Sequence, residues 1–197
     1  MKRLQEIALG VSRGGAIVGG ALLLLAAVTI CIDIFLRYAF SLTVGGADEL
    51  SGYALAIASA WGFSVALLSR SHIRIDTLYV RLPRRARATL DLASLAALAL
   101  FFALVTWHAW GMLSLSYASG SRSMSALETP LAIPQTVWVV GLAFFVAVAL
   151  LLLARALPAY VRGDLDTLFQ AIGSKSAVAE AKEEITAVER AIDSRKE

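Results

Sequence analysis

Cysteine is nearly absent from these 197 residues, with Cys31 the single example. One thiol rules out an internal disulfide, a Cys-x-x-Cys redox pair and a cysteine-rich zinc site. Histidine is almost as scarce, limited to His72 and His108. A haem bridging the two is disfavoured: His72 falls beside the end of one apolar run, and His108 about sixteen residues into another, roughly 24 Å along a helix. No Gly-rich phosphate loop is present, which removes the usual mark of an ATPase. Ser/His/Asp arrangements, metal-ligand spacings, internal repeats and low-complexity tracts are missing too. The largest deficit is of charge. Asp, Glu, Lys and Arg make up 17% of the chain against 58% hydrophobic residues, and mean hydropathy is +0.72, far from an ordinary soluble domain.

What remains is organised by where charge is withheld. Asp48 and Glu49 open a run, residues 50–69, that carries no charge, and Arg70-Ser71-His72-Ile73-Arg74-Ile75-Asp76 closes it. About twenty residues at 1.5 Å each reach about 30 Å, the thickness of a bilayer's hydrocarbon core. The acids suit the positive end of a helix and the cations its negative end. This run is rich in Ala, Gly and Ser, so the helix should face protein more than lipid. Trp61 lies well inside it and should pack on a neighbouring helix.

Three further runs share this character. Residues 14–36 follow a basic lead and read as a retained signal anchor, too long and without a small-residue cleavage site for a signal peptide. Gly15, Gly19 and Gly20 would admit a close neighbour, or else merely face lipid. Asp33 and Arg37 share one helix face, and three readings stand: a local pair at the outer boundary, contact with another polypeptide, and last a proton relay, which a single buried acid disfavours. Residues 92–121 form an uncharged run of about thirty residues, near 45 Å if helical, which must tilt or protrude. A fourth span begins near Thr129 and ends near Arg155.

Cations sort to one side. Arg70, Arg74, Arg81, Arg84, Arg85 and Arg87 crowd the second connection against Asp76 alone, while the outer connections carry only Arg37 and Arg122. With Lys2, Arg3 and Arg13 before span one and Arg155 and Arg162 after span four, the pattern places both termini in the cytoplasm. Ile75, Leu78, Tyr79 and Leu82 fall at helical spacing, consistent with a short interfacial helix that Pro83 ends, or with a basic loop that only sets topology. Beyond residue 161 the composition turns polar. Residues 164–172 suggest a short amphipathic helix stopped by Gly173. Residues 178–192 carry about two heptads, read either as a fraying helix or as a docking helix.

The expected fold is therefore an all-α membrane protein. A lead at residues 1–13 precedes a four-helix membrane domain at 14–157, with spans at about 14–36, 48–69, 90–118 and 131–155. A short interfacial helix joins spans two and three, and a polar, helical tail occupies 158–197. No span looks broken at its midpoint and no repeat is present, so the chain suits scaffolding better than solo transport. No cofactor, metal site, catalytic residue or nucleic-acid partner is expected.

One family shares this layout. The order Arg37-Tyr38-x-Phe40, Asp48-Glu49, a small-residue-rich span, His72-Ile73-Arg74-Ile75-Asp76, Leu82-Pro83 and Thr129-Pro130-Leu131-x-Ile133-Pro134 resembles the small membrane subunit of tripartite ATP-independent periplasmic (TRAP) transporters. The resemblance covers roughly residues 17–157; Gly46 departs from it, standing near where the family often has a tryptophan. It implies a non-catalytic subunit of the bacterial inner membrane. Its partners would be a large elevator subunit, which holds the substrate and sodium sites, and a periplasmic binding protein that delivers an organic anion. On that reading Arg37, Asp48 and Glu49 fix the outer end, and His72, Arg74 and Asp76 the inner end, against the large subunit or lipid head groups. Helix-end electrostatics alone is the competing account of all six. Two alternatives of function are a quinone-linked or cofactor-holding four-helix subunit and a small homo-oligomeric channel.

Overall fold

The chain is described by a computed structural model covering residues 2–70, 79 and 81–173. Within these residues the regular elements are all helices, without strands: α1 Lys2–Phe40, α2 Ala47–Ser69, α3 Arg84–Ser119, α4 Ala132–Val161 and α5 Leu165–Ile172. The first four are long and apolar enough to cross a membrane. The interfacial helix expected around residues 75–82 and the heptads at 178–192 lie outside the described residues, Tyr79, Arg81 and Leu82 apart.

The helices begin and end where local chemistry requires. α1 runs unbroken through the basic lead, so its 39 residues extend about 58 Å. It stops at Ser41, which adopts a left-handed conformation, and Leu42 N–H donates back to the Leu36 carbonyl. α2 starts after Gly46, with Asp48 and Glu49 in its positively polarised first turn. Pro83 precedes α3 in an extended conformation, which brings Arg84, Arg85 and Arg87 into the first turns of the helix rather than a loop. α4 continues past Pro158 to Val161, longer than its apolar run suggested.

In space the spans form a row: α1 packs on α2, α2 on α4, and α4 on α3, with α5 lying across the ends of α3 and α4. Small residues set the α1–α2 spacing. A Cβ on Gly19 would come within 2.7 Å of the Ala58 Cα, and one on Gly15 would collide with the Trp61 ring. Gly20 meets nothing and belongs to the outward face. Trp61 fills the next seam, stacked 5.8 Å from Phe144 of α4 and donating its indole N–H to the Val137 carbonyl. Farther along the row Phe63, Phe102 and Phe145 join three helices, with the Phe102 and Phe145 centroids 4.4 Å apart. In lipid, such close packing holds helices together without help from water exclusion.

α5 is the predicted short amphipathic helix. Asp164 caps its start by accepting the Thr167 N–H at 3.1 Å, and Gly173 follows its end. Leu168, Ala171 and Ile172 are buried against the bundle.

Candidate functional site

Two polar clusters close opposite ends of the bundle. At one end, the α1–α2 and α3–α4 connections are tied together. Asp33, buried in α1, accepts the Thr43 hydroxyl at 2.8 Å, the Val44 N–H at 2.7 Å and the Arg37 guanidinium. The spacing of Asp33 and Arg37 thus produces a local pair, and the carboxylate does a second job in pinning the connection that follows α1. A buried carboxylate with three donors is fully provided for.

Glu49 serves the second connection. Its Oε1 accepts the Tyr53 hydroxyl at 2.7 Å from one turn further along α2, and its Oε2 accepts the Ser125 hydroxyl. Ser125 belongs to a tight loop in which Ser123 N–H donates to the Thr129 carbonyl at 3.0 Å, Thr129 N–H returns to the Ser123 hydroxyl at 3.0 Å, and Arg122 pairs with Pro130 as an isolated bridge. Gly46 must be glycine here: its φ is +88°, and the Leu127 side chain occupies the place of a Cβ. Asp48 is exposed, and among the described residues its carboxylate makes no bond across this gap. No hydrogen bond or ion pair among the described residues joins Arg37 to Asp48 or Glu49. Arg37 and Glu49 thus belong to two separate intrachain locks at this end, and Asp48 to neither.

At the opposite end the cations are organised by α5. Arg70, the left-handed C-cap of α2, donates to the carbonyls of Phe169 at 3.4 Å and of Gln170. These are C-terminal carbonyls of α5, the negative end of its dipole. Arg84 at the start of α3 pairs with Asp166 and lies 5.8 Å over the Phe169 ring. The two arginines that bracket the basic connection thus hold the same eight-residue helix. Thr89 and Tyr160 join α3 to α4 through their hydroxyls at 2.8 Å. Outside the membrane-crossing helices, Asp164 has its carboxyl held below the ordinary range, chiefly by the Thr167 hydroxyl and then by the Thr167 N–H.

His72, Arg74 and Asp76, the expected inner trio, lie outside the described residues. Sequence reasoning overlooked Asp91, which is only 1% exposed and accepts the Tyr79 hydroxyl at 2.7 Å. Its spacing of four from Arg87 was a visible signal; Ser125, which reaches Glu49 across 76 positions, gave none. His108 is exposed on α3. Among the described residues no three His, Cys, Asp or Glu side chains converge as metal ligands. Asp33, Glu49, Asp164 and Asp166 are engaged in holding connections and helix ends.

Four apolar crossings, braced at each end by intrachain polar locks, define a multi-span α-helical membrane protein. Within that class, the family model described as tripartite ATP-independent periplasmic transporters, DctQ component, matches residues 17–159, a stretch that holds most of α1, all of α2 and α3, and nearly all of α4. The chain belongs to this family and is the small permease subunit of a TRAP transporter. Membership implies partnership with the large permease subunit and a periplasmic binding protein. No curated protein and no solved structure matches the chain.

Proposed function

We propose that this chain is a non-catalytic, stationary part of a sodium-coupled transporter, scaffolding the large elevator subunit while it takes up an organic anion delivered by the binding protein. It sits in the bacterial inner membrane with both termini in the cytoplasm, as the distribution of arginines favours. The observation that carries this reading is the family match over the four-span bundle. The geometry agrees with it. A frame for a moving neighbour needs fixed helix ends, and here Asp33, Glu49, Arg70 and Arg84 each tie one element to another. Broad apolar faces remain outward on α1 and α3, including Leu24, Leu25, Trp107 and Trp110, for lipid or for the large subunit. Arg37, Asp48 and Glu49 at one end, and His72, Arg74 and Asp76 at the other, contact the large subunit or head groups in this proposal.

Reconstitution tests it. Liposomes holding this chain alone should show no uptake. Those holding it with the large subunit should show sodium-dependent uptake once the binding protein and its anion are added. Uptake or ion current from this chain alone would overturn the scaffold. For the contacts, Glu49→Ala and Asp76→Ala should insert normally yet co-purify less of the large subunit. Unchanged retention would return those residues to helix-end electrostatics.

A further inference from the structure

Where α3 begins and α4 ends, a crevice of about 290 Å³ opens beside α5. Among the described residues it is lined by Arg85 of α3, Tyr160 and Val161 of α4, Gly163 of the turn and Leu165 of α5. The volume is near the lower bound of small-molecule sites, about 300 Å³, so it suits a head group rather than a whole amphiphile. One wall is fixed by hydroxyls. Thr89 donates to the Arg85 carbonyl one turn back at 3.0 Å, so the 2.8 Å contact between Thr89 and Tyr160 uses the Tyr160 proton. With that proton spent, recognition falls to the exposed Arg85 guanidinium. Among the described residues this guanidinium has no hydrogen-bond or ion-pair partner. The two carboxylates of the adjoining turn and helix are engaged elsewhere, Asp164 with Thr167 and Asp166 with Arg84. The other wall is apolar. Val161 is 78% exposed and Leu157, one turn back along α4, 54%, so hydrocarbon surface leads from the crevice into the membrane-crossing part of the helix.

We infer that this crevice holds the head group of one anionic phospholipid, its phosphate on Arg85 and an acyl chain along Val161 and Leu157. The depth suits a head group. Tyr160 stands five residues beyond Arg155, the first charge after the apolar run of α4, or about 7 Å along the helix. A bilayer's head-group layer adds about 5–7 Å to each side of its hydrocarbon. Charge selects the anion, since Arg85 gains a phosphate without giving up another contact among the described residues. The exposed valine and leucine favour an anion that carries hydrocarbon over a soluble one. Val161, Gly163 and Leu165 lie beyond residue 159, so the crevice is not built from the family-matched segment alone.

The test uses the full-length chain, purified in neutral detergent and freed of lipid, with thermal unfolding as the readout. Phosphatidylglycerol in excess should raise Tm by about 5 °C, as expected for a ligand well above its Kd. Phosphatidylcholine with the same chains, and inorganic phosphate, should each give at most about a quarter of that shift. Three variants each lower the charge of this end by one unit: R85Q and V161D within the lining, and R162Q beside it but outside it. R85Q and V161D should lose most of the phosphatidylglycerol shift, R162Q should keep most of it, and R85K should keep more than about half. Equal losses in all three overturn the site, because general attraction to a basic surface would not distinguish them. Equal shifts from phosphatidylcholine overturn the charge selection, and equal shifts from inorganic phosphate overturn the lipid. An undiminished shift in R85Q overturns the site. If R85Q melts far below the parent before lipid is added, V161D decides, since Val161 is mostly exposed: a lost shift supports the site and a full one removes it.

Discussion

Single residues in this chain are constrained by backbone approach more than by side-chain chemistry. Gly19 and Gly20 are neighbours in sequence with opposite surroundings, one against the Ala58 backbone and one open. Gly19→Ile should therefore destabilise the α1–α2 seam by about 1–3 kcal/mol, since backbone atoms cannot step aside as a flexible side chain can. Gly20→Ala should be neutral or slightly stabilising, because it removes only unfolded-state freedom. Unfolding of both variants in mixed micelles checks the contrast; equal losses would mean the seam does not run through Gly19. Gly46 is limited twice, by its φ of +88° and by Leu127. Gly46→Ala should cost about 1–2 kcal/mol from the left-handed backbone alone. The same melts should show that loss, and Gly52→Ala, which meets nothing within 4 Å, serves as its control.

At the scale of elements, α5 is the piece with a titratable fastening. Its N-cap Asp164 has a carboxyl held below the ordinary aspartate range by the Thr167 hydroxyl and N–H. A depressed pKa means the ionised form is favoured by folding. The cap's contribution is then fully present above the unfolded value, near 3.9, and is lost as pH falls through the lower folded value. Amide exchange in residues 165–172 should accordingly rise below about pH 4. Asp164→Asn keeps a capping oxygen but does not titrate, so its exchange should lack that acid step while differing little at pH 7. An identical acid step in both proteins would remove the Asp164 cap as its cause. The helix itself was legible, since Leu165, Leu168, Phe169 and Ile172 fall at helical spacing between Asp164 and Gly173. Its place was not. Arg70 reaches its carbonyls across 99 and 100 positions, and no local pattern encodes a partner that distant.

At the scale of the molecule, the number and rough extent of the spans could be read from withheld charge, whereas their order in the row could not. A span that is apolar all round presents no polar face from which to infer its neighbour. Only small residues and Trp61 hinted at contacts, and they showed that α2 is central without naming α1 and α4 as its two sides. Orientation is the remaining global property, and it follows from a different force. Arg84, Arg85 and Arg87 stand at the end where α5 docks; Ser123, Ser125 and Glu128 stand at the other. If arginines stay on the cytoplasmic side, a membrane-impermeant thiol reagent should discriminate between those ends. In a Cys31→Ser background, Met124→Cys, fully exposed in the serine-rich loop, should react in intact cells whose outer membrane is permeable to the reagent. Arg85→Cys should react only after the inner membrane is opened. Removing one arginine leaves five others in the same connection, so Arg85→Cys should not itself invert the chain. The reverse labelling pattern would turn the bundle over and place α5, with its crevice, in the periplasmic leaflet. The row of helices would survive that result; the assignment of inner and outer ends would not.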